Sequence, residues 1–351
     1  MADNKLLERQ VASKHEDLSD LLTNADRKHT PFCSRVKQGP APNDTLFRWP
    51  VDDYPSPNLD GAKEEADTTE YENFDGRKEM ANVVQIFERK PGVGRLTQKV
   101  VNPAGIGKKQ AMAKNIAKGM VMIKRDQEAT FLSNKDASRQ TDASTQFETQ
   151  GACRFVRVNN DGITDVNFHL PEGYTPSAEQ VVTVAEANFD DDDIRDIMEA
   201  IWDNTGAAGD FVGFCGSGVK KLVSNLTSFV AGANHTVNLD MGQNKITKVV
   251  DILDTDFGVV ELLLSSFLNM TDKLDGDDNP ILDAQGRNYK VKDKWKLLFL
   301  DMDMVEVRTS QKPTWNPHED KGGGPRGLIE AIAGLCFKNC LGMGQLTVTP
   351  T

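Results

Sequence analysis

Apolar positions recur with a helical period along Lys108–Ser133, where Met112, Ile116, Met120 and Ile123 fall four, four and three residues apart. That spacing places them on one face of a 3.6-residue helix. The intervening Lys, Ala, Gln, Arg and Glu are good helix formers, and an unbroken helix over this stretch would be about 40 Å long. A second stripe, Ile194, Ile197, Met198 and Ile201 with Trp202 beside it, predicts a helix to about Asn204 that Asn188 can cap. A third helix is expected over Val219–Phe229, after the glycine-rich Gly213–Gly218. Met1–Asn24 carries Leu7, Val11, Leu18, Leu21 and Leu22 between charges, an amphipathic helix or arm, and Thr30-Pro31-Phe32 ends it.

Strand-like runs occupy Thr45–Trp49, Asn82–Val101 (Val83, Ile86, Phe87, Leu96, Val100, broken at Pro91–Gly94), Arg154–Val158 and Lys245–Leu264 (interrupted at Asp254–Gly258). Lys296–Val307 reads as a buried strand, and Leu328–Phe337 as a buried run whose period does not separate helix from strand. The order is mixed α+β, with no regular βαβ alternation and no internal repeat. Between the first two strand runs, residues 52–79 hold ten acidic residues against three basic ones and almost nothing apolar. Such a segment cannot pack a core of its own. Two strand arms around it read as a projecting β-hairpin, and a loop that long in a compact protein has a binding purpose.

Charge sharpens both features. Lys108, Lys109, Lys114 and Lys118 crowd the first half of the long helix, where its dipole is already positive. Lys114 and Lys118 form a like-charged pair at i,i+4. Such a helix expects anionic groups from elsewhere. The 351-residue chain as a whole has a formal net charge of −12, unlike a general nucleic-acid binder. No apolar run approaches the ~20 residues needed to span a bilayer, and the start MADNKLLERQ lacks the pattern of a secretory signal. Five scattered cysteines without a CxxC pair point to folding in a reducing cytoplasm.

Candidate chemistry is thin. Gly105-Ile-Gly107-Lys108-Lys109 lacks the first glycine and the final Ser/Thr of a phosphate loop and reads as the turn into a helix. Gly213–Gly218 is neither GxGxxG nor GxSxG, and reads as a strand-to-helix turn. Asp190–Asp193 fits the first turn of a helix better than a metal cluster. Asp275, Asp277, Asn279 and Asp283 resemble the opening of a calcium loop, but Pro280 stands where glycine is required and Gly286 where glutamate is. His15, His29, His169, His235 and His318 have no metal-ligand spacing, and Cys336 and Cys340 read as small buried hydrophobes. No nucleophile stands with its base, so no catalytic, cofactor or metal residues are assigned.

The order of parts resembles the major capsid proteins of tailed bacteriophages, which have the Hong Kong 97-type fold, and within them the podophage-type branch. The matching residues are Thr30-Pro31-Phe32, Leu46-Phe47-Arg48-Trp49-Pro50, Asn82–Phe87 with Lys99-Val100, and Ile123–Glu128 with Leu132-Ser133-Asn134. Phe189-Asp190 leading to Ile201-Trp202, Thr255–Gly258, and Leu300-Asp301 before Val305 follow in the same order. The resemblance spans about Asp20 to Val348 and is weakest over Gly206–His235 and over Lys273–Lys292, which looks like an insertion.

The resemblance implies an N-terminal arm (1–40), an extended hairpin loop (41–105), a peripheral domain (106–170) with spine helix 108–133, an axial domain (171–296) and a return to the peripheral domain (297–351). It implies a non-enzymatic virion protein, assembled in the host cytoplasm as hexamers and pentamers into an icosahedral shell around double-stranded DNA. Expected partners are further copies of itself, a portal, a separate scaffolding protein, decoration proteins and the packaged DNA. The chain begins close to where the match begins, which leaves no room for a large built-in scaffold. Alternatives are an encapsulin-like compartment shell or a tail or connector component. Glu64, Glu65 and Asp67 of the loop are expected to meet Arg89, Arg95, Lys108, Lys109, Lys114 and Lys118 of a neighbouring subunit, the rival being that these cations face DNA. Lys63 is the sole lysine near the loop tip that a crosslink between subunits could use.

Overall fold

The structure is a computed structural model that describes residues 30–52, 54, 57–60, 62, 77–99, 111–142, 144–206, 209–226, 251–275, 279–282, 288–319 and 322–350. Its elements begin with α1 (Pro31–Arg35), β1 (Lys37–Gln38), β2 (Leu46–Val51), β3 (Lys78–Val83), β4 (Gln85–Arg89), α2 (Arg95–Lys99) and α3 (Ala111–Phe131). They continue with α4 (Ala152–Phe155), β5 (Val181–Ala185), α5 (Asp192–Thr205), β6 (Gly209–Cys215), α6 (Ser217–Val223), β7 (Ile252–Thr255) and β8 (Gly258–Leu264). Last come β9 (Thr271–Asp272), β10 (Lys290–Val291), β11 (Lys296–Leu300), β12 (Val305–His318), β13 (Arg326–Phe337) and β14 (Gly344–Thr349). Contacts divide the chain into two units. Among the described residues, one takes 88–99, 111–122, 315–319 and 322–329, and the other takes the remainder.

The larger unit is built on a six-stranded mixed sheet in the order β5-β14-β11-β6-β8-β7. All five residues of β11, KLLFL, are buried, and Leu297–Leu300 form the continuous apolar run of a strand covered on both faces. Helix α5 packs Ile194, Ile197, Met198 and Ile201 into the same core as Leu297, Phe299, Leu346 and Val348. A four-stranded sheet runs β1-β12-β13-β4. The C-terminal strands part company here: β12 and β13 lie in the four-stranded sheet, while β14 pairs with β5 and β11 in the six-stranded one. Pro313 is tolerated in β12 because β1 reaches only Glu306 and Val307, leaving that edge free of a ladder bond at the proline.

Strands β2 and β3 pair antiparallel from Leu46↔Val83 to Val51↔Lys78, so the second arm of the hairpin begins at Lys78. Alternation along β2 buries Phe47, Trp49 and Val51. The Trp49 indole N–H donates to the Phe337 carbonyl at 2.8 Å, and Arg308 lies over the Phe47 and Trp49 rings at 5.3 and 5.7 Å.

Helix α3 covers 21 residues, about 32 Å; Lys108–Gln110 lie outside the described residues. In its stripe Met112 and Ile123 are buried and Ile116 and Met120 half-buried. Its largest departure from a simple amphipathic helix is Glu128, which is fully buried. That carboxylate accepts the backbone N–H of Phe32 at 2.9 Å and of Cys33 at 2.7 Å. Those are first-turn donors of α1, whose own N-cap residue, Thr30, makes no side-chain cap bond and which proline at N1 cannot supply. Phe32 is thereby held 6.3 Å from Phe131 and 5.6 Å from Phe214, centroid to centroid.

Four sequence expectations are corrected. Arg154–Val158 is not a strand: Ala152–Phe155 is a helical turn, because Gly151 sits against the Ser133 backbone and the Cys153 thiol donates to the Leu132 carbonyl at 3.3 Å. Arg95–Lys99 is a helix, not a continuation of the hairpin arm. Asn188 belongs to a 3-10 turn, and α5 is closed instead by Asp190 and Asp193, each backbone N–H donating to the other's carboxylate at 3.0 and 3.3 Å, a capping box built from two aspartates. The helix after the glycine-rich stretch runs from Ser217 to Val223, not to Phe229.

Removing the Glu128 carboxylate takes the acceptor from the buried Phe32 N–H and the part-buried Cys33 N–H. Glu128→Ala is expected to lower the unfolding free energy of unassembled subunits by about 1–3 kcal/mol, and Glu128→Gln by less, since one carbonyl oxygen remains. Urea denaturation followed by tryptophan fluorescence measures both; equal stability of all three proteins would refute the role of the cap.

Candidate subunit-contact surface

The smaller unit carries the cations named from the sequence. Its framework is main-chain: Val93 N–H donates to Pro325 O at 3.0 Å, Arg95 N–H to Gly323 O at 3.1 Å and Gly327 N–H to Pro91 O at 3.3 Å. Gly322, Gly323 and Gly324 have φ of 94°, 110° and 114°, a left-handed run that side-chain-bearing residues adopt only under strain. A Cβ on Gly324 would collide with the Val93 carbonyl. From this framework α2 presents Arg95, Leu96 and Lys99 to solvent, Leu96 being 74% exposed. On α3, Lys118 is exposed and Lys114 half-buried, as is Arg89 at the end of β4.

Within 88–99, 111–122, 315–319 and 322–329 there are seven Lys and Arg against two acidic residues, on a chain whose overall charge is −12. Lys90 pairs with Glu88 at 2.7 Å. Arg95, Lys99, Lys114, Lys118 and Arg326 have no carboxylate within ion-pair distance among the described residues. Elsewhere cations are taken up: Arg35 grips Glu261 through both terminal nitrogens, the second at 2.7 Å, Lys37 meets Asp303 at 2.7 Å, and Lys220 meets Asp251 at 2.9 Å. The Glu261 carboxyl titrates below its ordinary value because Arg35 hydrogen-bonds to it.

At the base of the acidic hairpin, Asp52 faces Arg77 at 3.5 Å and Glu79 faces Arg48 at 3.1 Å. Beyond them Tyr54 and Leu59 are 99% and 95% exposed. Glu64, Glu65, Asp67 and Lys63 lie outside the described residues, as do Lys108, Lys109 and Gly105–Gly107. Of the nine expected contact residues, the structure therefore places Arg89, Arg95, Lys114 and Lys118, all in the smaller unit. Neither Tyr54 nor Leu59 is among the residues named from the sequence, and Leu96 is assigned there to a strand; the signal they share is a single large apolar residue inside an otherwise polar stretch.

The chemistry-bearing motifs resolve into structural roles. Gly213 lies inside β6, where a Cβ would stand 2.7 Å from Leu262 Cδ2. The turn is at Gly216. The N–H groups of Gly218 and Val219 that could cradle an anion donate instead to the Lys294 carbonyl, at 2.9 and 3.1 Å. Asp275 and Asn279 close a local turn, the Asn279 N–H donating to the Asp275 carboxylate at 3.0 Å; Asp277 and Asp283 lie outside the described residues. No group of three potential ligands is placed to hold a metal among the described residues. No helix among them is long and apolar enough to cross a membrane.

An α+β body whose ionisable groups serve caps, turns and ion pairs, and whose remaining features are exposed charged and apolar surfaces, has the layout of a subunit that works through contacts. The family model described as SU10 major capsid protein matches residues 4–350. The chain belongs to that family: it is a shell-forming coat protein of the tailed-phage kind. Among solved structures it is similar to the capsid of cyanophage P-SCSP1u, at 10% identity and a TM-score of 0.61, with 99% of this chain and 100% of that one covered. It is also similar to the cyanophage A-1(L) capsid, at 11% identity and a TM-score of 0.62, covering 97% and 98%. The capsid of a native GTA particle gives 13% identity and a TM-score of 0.58, covering 97% of each chain. At these identities the likeness shows the fold, the Hong Kong 97-type α+β architecture. No curated protein matches the chain.

Cys153, Cys215, Cys336 and Cys340 are buried and Cys33 is half-buried. Burial pushes Cys153 and Cys215 up to about 11 and Cys336 and Cys340 up to about 12; burial and then the Glu128 charge push Cys33 up as well. A raised folded-state value means stability is fully present below the unfolded thiol value and is lost as pH rises through the folded values. Subunits are therefore expected to lose stability progressively between pH about 9 and 12, and to react with Ellman's reagent at pH 8 only after denaturation. Stoichiometric labelling of native protein would contradict this.

Proposed function

We propose that this coat protein assembles as hexamers and pentamers into an icosahedral shell enclosing double-stranded phage DNA, with the acidic hairpin loop of one subunit lying on the basic face of its neighbour. The observation that carries the reading is the pair of unmatched surfaces. The loop, 52–79, carries ten acidic residues against three basic ones, and the smaller unit offers Arg95, Lys99, Lys114, Lys118 and Arg326 without carboxylate partners among its described residues. In this reading Glu64, Glu65 and Asp67 meet Arg89, Arg95, Lys108, Lys109, Lys114 and Lys118. Each exposed pair contributes about 0–1 kcal/mol, so the gain is register and partner choice more than strength. Helix α3 serves as the spine of a peripheral domain and the region 171–296 supplies an axial one. Assembly takes place in the host cytoplasm with a portal, a separate scaffolding protein and decoration proteins, and the subunit has no catalytic role.

A second reading, favoured by the same free cations, turns the basic face towards packaged DNA, which it would neutralise by counterion release without reading sequence. Charge reversal separates the two. Glu64→Lys with Glu65→Lys is expected to abolish closed shells seen by negative-stain microscopy, and adding Lys114→Glu with Lys118→Glu is expected to restore them. Failure of the quadruple variant to assemble, while both parents remain folded by circular dichroism, would reject the loop-on-neighbour arrangement. Assembly unaffected by either reversal, with DNA retention reduced only by the lysine changes, would favour the DNA-facing reading.

A further inference from the structure

The acidic loop and the basic face are not purely polar. Four large apolar side chains among the described residues are at least 74% exposed: Tyr54 at 99%, Leu59 at 95%, and Leu96 and Val166 at 74% each. Scattered single residues of this kind are ordinary, but three of these four stand on the loop or on the basic face. Asn58 accepts the Asp60 N–H through its side-chain oxygen at 2.9 Å. That is an Asx turn, with Leu59 at its corner and Asp60 next to it. Leu96 stands near the start of α2, between Arg95 and Lys99. The Arg95 N–H is tied to the Gly323 carbonyl at 3.1 Å, which brings this part of α2 beside main chain that carries no side chains. Gly94, Gly322 and Gly323 are exposed, and a Cβ on Gly94 or Gly323 would meet nothing within 4 Å. Such a strip lets another chain approach closely.

The charges beside the two leucines say what covers them. Among the described residues Arg95 has no carboxylate, and Asp60 no cation, within ion-pair distance. An apolar side chain next to an unpaired carboxylate is complementary to one next to an unpaired cation: the leucines exclude water, and the charges select the partner. A DNA phosphate would satisfy Arg95 and Lys99 but leave Leu96 in water. We propose that Leu59 of one subunit seats against Leu96 of its neighbour, with Asp60 facing Arg95, as the apolar anchor of the loop-on-neighbour contact. The anchor rests on that arrangement and adds to it a contact that charge pairing alone does not require. Salt that screens the exposed charges leaves the leucine pair in place.

The test uses assembled particles. Leu59→Cys and Leu96→Cys subunits are co-assembled, and Glu64→Cys and Lys114→Cys subunits in parallel, the second pair reporting the electrostatic contact itself. The native thiols are buried apart from half-buried Cys33, so each variant assembled alone serves as the control. Under mild oxidation the first mixture is expected to give coat dimers joined between positions 59 and 96 in particles but not in dispersed subunits. Absence of that link while positions 64 and 114 do join would overturn the anchor and leave the loop-on-neighbour arrangement standing. Absence of both links would overturn both. Should the cysteine variants fail to assemble, hydroxyl-radical labelling of the unaltered protein decides. Leu59 and Leu96 are expected to lose most of their labelling on assembly, and unchanged labelling of either would overturn the proposal.

Discussion

A buried carboxylate holds this fold together at its centre. Glu128 cannot remain ionised inside protein unless donors surround it, and α1, at five residues, is far too short to hold itself as a helix. Each meets the other's need: the first-turn N–H groups of Phe32 and Cys33 solvate the carboxylate, and the carboxylate caps the helix. The consequences spread outward. Fixing α1 inserts Phe32 among Phe131 of the long helix and Phe214 of the six-stranded sheet. Two residues past the last capped N–H, Arg35 clasps Glu261 on β8, and β1 then follows directly into its pairing with β12. The point where the N-terminal segment enters the body is thus bonded to the helix, to one sheet and to the other.

How far the sequence reveals this depends on the range of the interaction. Periodicity exposes α3, α5 and β11, because a stripe or a continuous apolar run is a local consequence of which face is buried. It fails where a distant partner decides. The alternation in Arg154–Val158 is a good strand signal, but Gly151 packs against Ser133 and the residues that follow it, Ala152–Phe155, form a helical turn. Leu96 is the only large apolar residue in α2, too few to show a period. The cap on α5 lies two residues beyond Asn188, in a stretch where three capping-competent residues, Asn188, Asp190 and Asp191, stand within four positions. Nothing near Thr30 announces a cap that lies 96 residues downstream, nor does anything near Val181 announce parallel pairing with Gln345.

The proposed contact surface is legible in a different way. Sequence shows the sign and density of charge on the loop and on the first half of the long helix, since neither depends on folding. It does not show which cations are already neutralised. That is a property of the fold, and it separates Arg35, Lys37 and Lys220, each with a carboxylate in place, from Arg95, Lys99, Lys114 and Lys118, which have none among the described residues. Arg48 and Arg77, by contrast, hold the base of the hairpin to its own acidic neighbours. In the proposed arrangement it is the distal part of the loop that meets another molecule.

Weak surfaces of this kind are useful only on a subunit that does not deform, and the interior is built accordingly. Asn82 is fully buried, and its amide donates to the Leu335 carbonyl at 2.6 Å and accepts from Val83 and Gln150 N–H at 2.8 and 2.9 Å. Gln180, equally buried, donates to the carbonyls of Leu341 and Met343 and accepts from Ser177 N–H and the Asn204 side chain. Such side chains add modestly to net stability but penalise any rearrangement that leaves them unpaired. They therefore fix one geometry for β3 against β13, and for the approach to β5 against the C-terminal turn and α5. When every copy of a subunit has the same rigid shape, contacts contributing about 1 kcal/mol each can add in register around a closed shell while each stays weak enough to be corrected during assembly.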